Sequence, residues 1–246
     1  MQFKEHFVIV NNVKTFYLEA GEGTPLLFIH GWGARSYSYK DALTILAIKY
    51  HVYAIDLPGF GRSATPPEMW NFAEYAKYTS AFITIVCKAK VILVGHSLGG
   101  GVALYTASQS KDIAELVLLD AAGVPFERGR IILYTLFMLR LFQEMLHPKY
   151  WIKSLDLSIN FLFNASHFSF LVPFTQKIFK KQIASDNTVF KNINVKTLIL
   201  WGRKDTIFGE GIEKKMNKAI SHSRLEYING THNWIIFTPE YISKYV

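Results

Sequence analysis

The chain has 246 residues, a net charge of +8, half of its residues hydrophobic and a single cysteine. That length holds one large α/β domain or two small ones, and a lone cysteine excludes an internal disulfide framework. No basic run exceeds two residues (Lys180-Lys181 and Lys214-Lys215), which argues against nucleic acid as the partner despite the positive balance.

The first residues, Met1-Gln2-Phe3-Lys4-Glu5-His6, begin no signal peptide, because Glu5 and His6 interrupt any apolar stretch. Phe3 to Val10 and Val13 to Leu18 flank Asn11-Asn12 and read as an antiparallel hairpin. Gly21 to Pro25 is a turn. Leu26 to Ile29 is a buried strand that ends in His30-Gly31-Trp32-Gly33. Ser38 followed by Asp41 predicts a helix start, with Leu43, Leu46, Ala47 and Tyr50 as its apolar stripe. Val52 to Ile55 is the next strand and runs into Asp56-Leu57-Pro58-Gly59-Phe60-Gly61-Arg62-Ser63. One long helix is predicted from Phe72 to Lys88, with Cys87 as a small buried hydrophobe on it.

Val91 to Val94 is a continuous aliphatic run, which suits a strand buried on both faces of a parallel sheet. Gly95-His96-Ser97-Leu98-Gly99 follows at once, and a packed helix extends to about Gln109. Leu116 to Leu119 is a further strand closed by Asp120. Residues 124–195 then break the alternation. This stretch holds 13 aromatic residues and nine Lys/Arg against four Asp/Glu. It is predicted to be a helical cap inserted into a core made of residues 1–123 and 196–246. Within it, Leu157 to Gln176 carries no formal charge but contains Asn160, Asn164, His167 and Pro173, a poor membrane span. The chain is therefore expected to be soluble and cytoplasmic. The sheet resumes at Thr197 to Trp201, a helix is predicted from Gly209 to Ile220, and Leu225 to Ile228 is the last strand, with a final helix after Asn233. Strand and helix alternate, so the fold class is α/β with a mostly parallel sheet flanked by helices.

A serine between two glycines, at a sharp strand-to-helix turn, is the pattern of a nucleophile elbow. Small residues at 95 and 99 let the turn close and leave the Ser97 hydroxyl exposed. A serine hydroxyl needs a base, and the base needs a carboxylate to hold its tautomer. Asp205, in the loop after the Trp201 strand, and His232, in the loop after the Ile228 strand, supply both. In a parallel sheet the loops after successive strands open on one edge, so Ser97, Asp205 and His232 can meet. Asp120 also ends a strand and remains a rival for the acid. The oxyanion donors are expected to be the amides of Leu98, after the nucleophile, and Trp32, between Gly31 and Gly33. His96 reads as a packed neighbour of the nucleophile, and His30 as bonded within its own loop. Asp56 caps its loop, Arg62 is structural, and His147, His167 and His222 belong to the cap or the surface. No Cys/His cluster has zinc spacing, so no metal or other cofactor is expected.

These motifs together resemble the α/β-hydrolase fold, with an eight-stranded sheet and an inserted cap, over the whole chain. The resemblance rests on His30 to Gly33, Asp56 to Ser63, Gly95 to Gly99, Gly202 to Asp205 and Gly230-Thr231-His232. It implies a serine hydrolase acting on a carboxylic ester with an apolar part. The superfamily also hosts lipases, lactonases, C–C bond hydrolases and cofactor-free peroxidases, and a receptor with little turnover is a further alternative. The oxyanion and turn motifs look most like small esterases that cleave methyl esters of acyl-carrier-bound acids. The basic insertion accordingly predicts docking of an acidic carrier or an anionic surface. Epoxide hydrolases and haloalkane dehalogenases of this fold carry aspartate where this chain has Ser97.

Overall fold

Asn11 and Asn12 both adopt positive φ, 47° and 63°, the backbone that a two-residue hairpin of matching twist requires. They join β1 (Lys4–Val10) to β2 (Val13–Ala20), with Val10 opposite Val13. The computed structural model describes residues 1–68, 70–123, 139, 143, 146, 151–155, 159, 188–208 and 211–246. The remaining strands are β3 (Thr24–Ile29), β4 (Tyr50–Ile55), β5 (Val91–His96), β6 (Ile113–Leu119), β7 (Lys196–Gly202) and β8 (Ser223–Ile228). They form one eight-stranded sheet in the order β1-β2-β4-β3-β5-β6-β7-β8. β2 pairs antiparallel with β1 and β4, and every other pairing is parallel.

The apolar runs are explained by burial on two sides. Leu27, Ile29, Leu93, Leu116, Leu118, Ile199 and Trp201 point into one core. Their neighbours Leu26, Phe28, Val94, Val117, Leu119 and Leu200 point into the other. The period of two sends alternate residues to opposite faces, so a strand covered on both faces has no polar position. α2 (Phe72–Phe82) and α3 (Leu98–Gln109) supply residues to the first core. α1 (Lys40–Leu46) supplies residues to the second.

Four helical expectations change. The segment at Ser38 begins as a 3-10 turn over Ser36–Tyr39, and α1 follows it. Ser36 N–H donates to Asp56 Oδ1 at 2.7 Å, which pins the chain before Ser38. Asp41 instead pairs with Lys153 at 2.6 Å. The long helix is α only to Phe82 and continues as a π turn over Ile83–Cys87, closed by Lys88 at φ 54°. Ile83-Thr84-Ile85-Val86 is a run of β-branched residues, which crowd an α-helix. The start of α2 carried a signal that the sequence reading missed, since Asn71 and Glu74 form a reciprocal capping box. The predicted 209–220 helix is α5 (Ile212–Ala219), with residues 209 and 210 outside the described residues. After Asn233 there is only α6 (Trp234–Phe237), followed by a 3-10 turn from Pro239. Proline cannot extend the helix.

The insertion is described only in part, by a helical stretch at 151–155, isolated positions and α4 (Thr188–Lys191). His147, His167 and most of the basic and aromatic side chains expected of a cap lie outside the described residues. No helix among the described residues is long and apolar enough to cross a membrane.

Candidate active site

The site is assembled at the carboxyl ends of β3, β5, β6, β7 and β8. Ser97 sits between β5 and α3 at φ 52°, a left-handed conformation that costs a non-glycine residue on the order of 1–3 kcal/mol and persists only where its surroundings impose it. They do so on both sides. Ser97 N–H donates to the Leu119 carbonyl at 3.0 Å, and Ala122 N–H donates to the Ser97 carbonyl at 2.9 Å. Gly99 makes the turn possible, because a Cβ there would stand 2.3 Å from the Ile29 carbonyl oxygen.

His232 Nδ1 and Asp205 Oδ2 are 2.9 Å apart, and both side chains are almost wholly buried. Asp205 Oδ1 accepts the Ile207 N–H at 2.7 Å. Burial pushes the Asp205 carboxyl up, but the neighbouring imidazole and the hydrogen bonds it receives outweigh this and leave it below the ordinary carboxylate range. It is thus an anion aimed at the imidazole. That fixes the His232 proton on Nδ1 and leaves Nε2 as the basic atom. The Ser97 hydroxyl makes no hydrogen bond to the imidazole in this structure. Such bonds are often long in unliganded sites and tighten with substrate.

The rival acid is also here. Asp120 Oδ1 accepts the Gly202 N–H at 2.8 Å, and its Oδ2 accepts Trp234 Nε1–H at 2.5 Å. One donor atom from each of Asp120, Asp205 and His232 lies within 4.8 Å of the others. The oxygens of both carboxyls are engaged by N–H donors, so the cluster is a hydrogen-bond network rather than a cation site. The structure therefore gives Asp205 the imidazole and Asp120 a place behind it.

The loop after β3 runs over the nucleophile. A Cβ built on Gly31 would lie 3.2 Å from Ser97 Cβ, so the residue before Trp32 packs against Ser97, with Gly33 at φ 71°. Leu98 opens α3, where the first N–H groups have no intrahelical acceptor. Of the two expected oxyanion donors, Leu98 directly follows Ser97 in the chain, and Trp32 directly follows Gly31.

His96 and Tyr39 tie this loop to the histidine. Gly31 N–H donates to Tyr39 Oη at 3.0 Å, and Tyr39 Oη lies 2.7 Å from His96 Nδ1. His96 Nε2 lies 2.9 Å from the His232 carbonyl oxygen. A carbonyl only accepts, so His96 Nε2 carries the proton and Nδ1 accepts from Tyr39. Neither Tyr39 nor Trp234 has a local sequence signal that marks it for this role. His30 behaves as expected, with Nδ1 bonded to the Gly31 carbonyl at 2.7 Å and Nε2 accepting Leu57 N–H at 3.0 Å. Asp56 caps its loop through Ser36 and Arg62 amides. Arg62 lies over the Phe16 ring and pairs with Glu5. His222 is exposed, and Cys87 is buried, its thiol pushed up to about 12 by burial. A cavity of about 300 Å³ lies at the opposite edge of the sheet, lined by Tyr50, Glu115, Lys196 and Arg224.

Burial drives the His96 pKa down to about 3, with the His232 ring adding to it. The folded protein keeps His96 neutral, whereas the unfolded chain protonates it below about pH 6.5. Acid therefore favours unfolding, at up to about 1.4 kcal/mol per pH unit for this residue between those limits. The expected result is a Tm that falls from pH 7 to pH 4, with a shallower slope in His96→Asn. Equal slopes in the two proteins would remove His96 as a source of acid sensitivity.

A mainly parallel α/β sheet with a strained serine at its central strand-to-helix turn defines a hydrolase of the doubly wound class. A model of the alpha/beta hydrolase family matches residues 26–243, and the chain belongs to that family. It is 36% identical over 130 residues to the 2-hydroxy-6-oxo-6-(2'-aminophenyl)hexa-2,4-dienoic acid hydrolase of Metapseudomonas resinovorans, a match covering 51% of this chain and 45% of that one. The match thus spans under half the length of that relative. An uncharacterised hydrolase of Bacillus subtilis, YugF, is 25% identical over 258 residues, covering 96% of this chain and 93% of its own. The solved structure of a serine hydrolase involved in carbazole degradation superposes with a TM-score of 0.83 at 26% identity, covering 99% of this chain and 96% of that one.

Proposed function

We propose that the protein is a serine hydrolase that cleaves carboxylic esters through an acyl-enzyme intermediate. The observation that carries this reading is the 2.9 Å contact between His232 Nδ1 and Asp205 Oδ2, at the edge where Ser97 is held in a strained turn. Ser97 Oγ attacks the ester carbonyl as its proton passes to His232 Nε2. Asp205 holds the ring and stabilises the imidazolium. The Trp32 and Leu98 amides bind the oxyanion, each worth about 2.7–4 kcal/mol of barrier when such donors are removed singly. His232 then protonates the leaving alcohol. Water, deprotonated by the same nitrogen, releases the acid and restores Ser97.

A second reading is favoured by the similarity to a dienoic acid hydrolase. The same Ser97, His232 and Asp205 would serve a C–C bond hydrolase. A screen of nitrophenyl esters of graded chain length, run beside a 2-hydroxy-6-oxo-dienoic acid, separates the two. The ester reading expects the higher kcat/KM on an ester, with fluorophosphonate labelling at Ser97. A dienoate preference of about 100-fold or more, some 2.7 kcal/mol of transition-state binding, would replace it with C–C cleavage. Labelling without multiple turnover on any substrate would instead favour a receptor.

A further inference from the structure

The proposed reaction uses one carboxylate, yet the site holds two. Asp120 is fully buried. It follows β6 at φ 40°, a second left-handed non-glycine residue one strand away from Ser97. Its two oxygens accept from Gly202 and from Trp234. These donors belong to the end of β7, from which the Asp205 loop departs, and to α6, which begins two residues after His232. Asp120 therefore braces both segments that carry the acid and the base. Its carboxyl also lies within 4.8 Å of Asp205 by their donor atoms. Two carboxylates so close and so far from water disfavour each other's ionisation.

We propose that Asp120 is a positioning residue that remains a protonated carboxylic acid at neutral pH, hydrogen-bonds Asp205, and so keeps the negative charge of the pair on the oxygen facing His232. Its catalytic consequence rests on the serine-hydrolase reading, but the location of the proton does not. Burial pushes Asp120 well above the ordinary carboxylate range, and the Asp205 charge adds to it. The Asp120–Asp205 hydrogen bond acts in the opposite direction on Asp205 and lowers it. A hydroxyl oxygen can accept an N–H bond while donating its own proton, so the Gly202 and Trp234 bonds survive protonation. The titratable groups around it are Asp205 from the β7 loop and His232 from the β8 loop, with His96 at the end of β5 beyond them. Among the described residues, the main influences on it are burial, Asp205, Gly202 and Trp234. The Asp120 proton stays in place through turnover. It lets Asp205 stabilise the imidazolium without a second charge competing for it.

Asp120→Asn tests this. Asparagine is as neutral as the acid, so the acid limb of the kcat/KM profile is expected to stay where it is in the wild type. If Asp120 were ionised, the same change would remove a negative charge near the imidazole, and the limb would move down by about one pH unit or more; that shift overturns the proposal. Titration of the His232 ring by NMR reads the same quantity without substrate, so failure of the ester reading is distinguishable. Asp120→Leu is expected to lower kcat by about 10–100-fold, the worth of a hydrogen bond to a charged group, with KM little changed and much of the loss restored by asparagine. Should both variants fail to fold, the wild type still decides. Its infrared spectrum at neutral pH is expected to hold the carbonyl stretch of a protonated carboxylic acid, and absence of that band overturns the proposal.

Discussion

Ser97→Ala is expected to lower turnover of a short nitrophenyl ester by roughly 10⁴-fold or more, about 5.5 kcal/mol of barrier. The size follows from what the side chain does. In the proposed mechanism, removing Oγ removes the atom that would form the acyl-enzyme, with no adjacent group free to take its place. His96, the adjacent side chain, has both nitrogens committed to Tyr39 and the His232 carbonyl. The fold should survive the change, because alanine keeps the Cβ and the backbone bonds to Leu119 and Ala122 that hold φ at 52°. KM should therefore move little, while the amides of Trp32 and Leu98 leave a residual rate. Steady-state kinetics with a thermal melt check both halves. A variant with near wild-type turnover would remove Ser97 from the chemistry, and a variant that fails to fold would show that the hydroxyl itself supports the turn.

The second large effect is structural. In Gly99→Ala the new methyl would meet the Ile29 carbonyl oxygen at 2.3 Å and the His30 carbonyl oxygen at 2.5 Å. These are backbone atoms of the strand β3 and its loop, so relief requires α3 to move away from the sheet. Overpacking of this kind costs about 1–3 kcal/mol or more, which in a chain of this length lowers Tm by roughly 2–4 °C per kcal/mol. Activity is expected to fall further than stability alone would explain. The movement carries the Leu98 amide away from Trp32, and oxyanion stabilisation depends on where both donors stand. Calorimetry and kcat measured well below the melting point separate the two losses. Unchanged Tm and kcat would mean that α3 and β3 are less closely packed than the structure shows.

Much of this was legible in the amino-acid order. Leu26 to Ile29, Val91 to Val94 and Leu116 to Leu119 announce strands because both of their faces are buried, and no polar residue interrupts them. The Gly95 to Gly99 spacing marks Ser97, and chain order supplies Asp205 and His232. The errors fell where local pattern competes with distant contact. Ser38 has the residue type of a helix cap, but Asp56 holds Ser36 and the turn begins earlier. The helix toward Cys87 has apolar periodicity throughout, but its β-branched end widens into a π turn.

The sequence by itself determined the layered architecture, the position of the candidate nucleophile and the order of the candidate triad, because periodicity and short glycine spacings are local properties. Only the tertiary structure shows which partners each of the two aspartates takes. Along the chain Asp205 is favoured by the pattern of its loop, but Asp120 also ends a strand and remains a rival. What separates them is that the imidazole of His232 reaches one, while the Trp234 N–H and the Gly202 amide take the other. The partners of Tyr39 and His96 were likewise settled only by folding. A hydrogen bond between residues 57 or 136 positions apart depends on how strands are ordered in the sheet, and no local residue pattern encodes that distance.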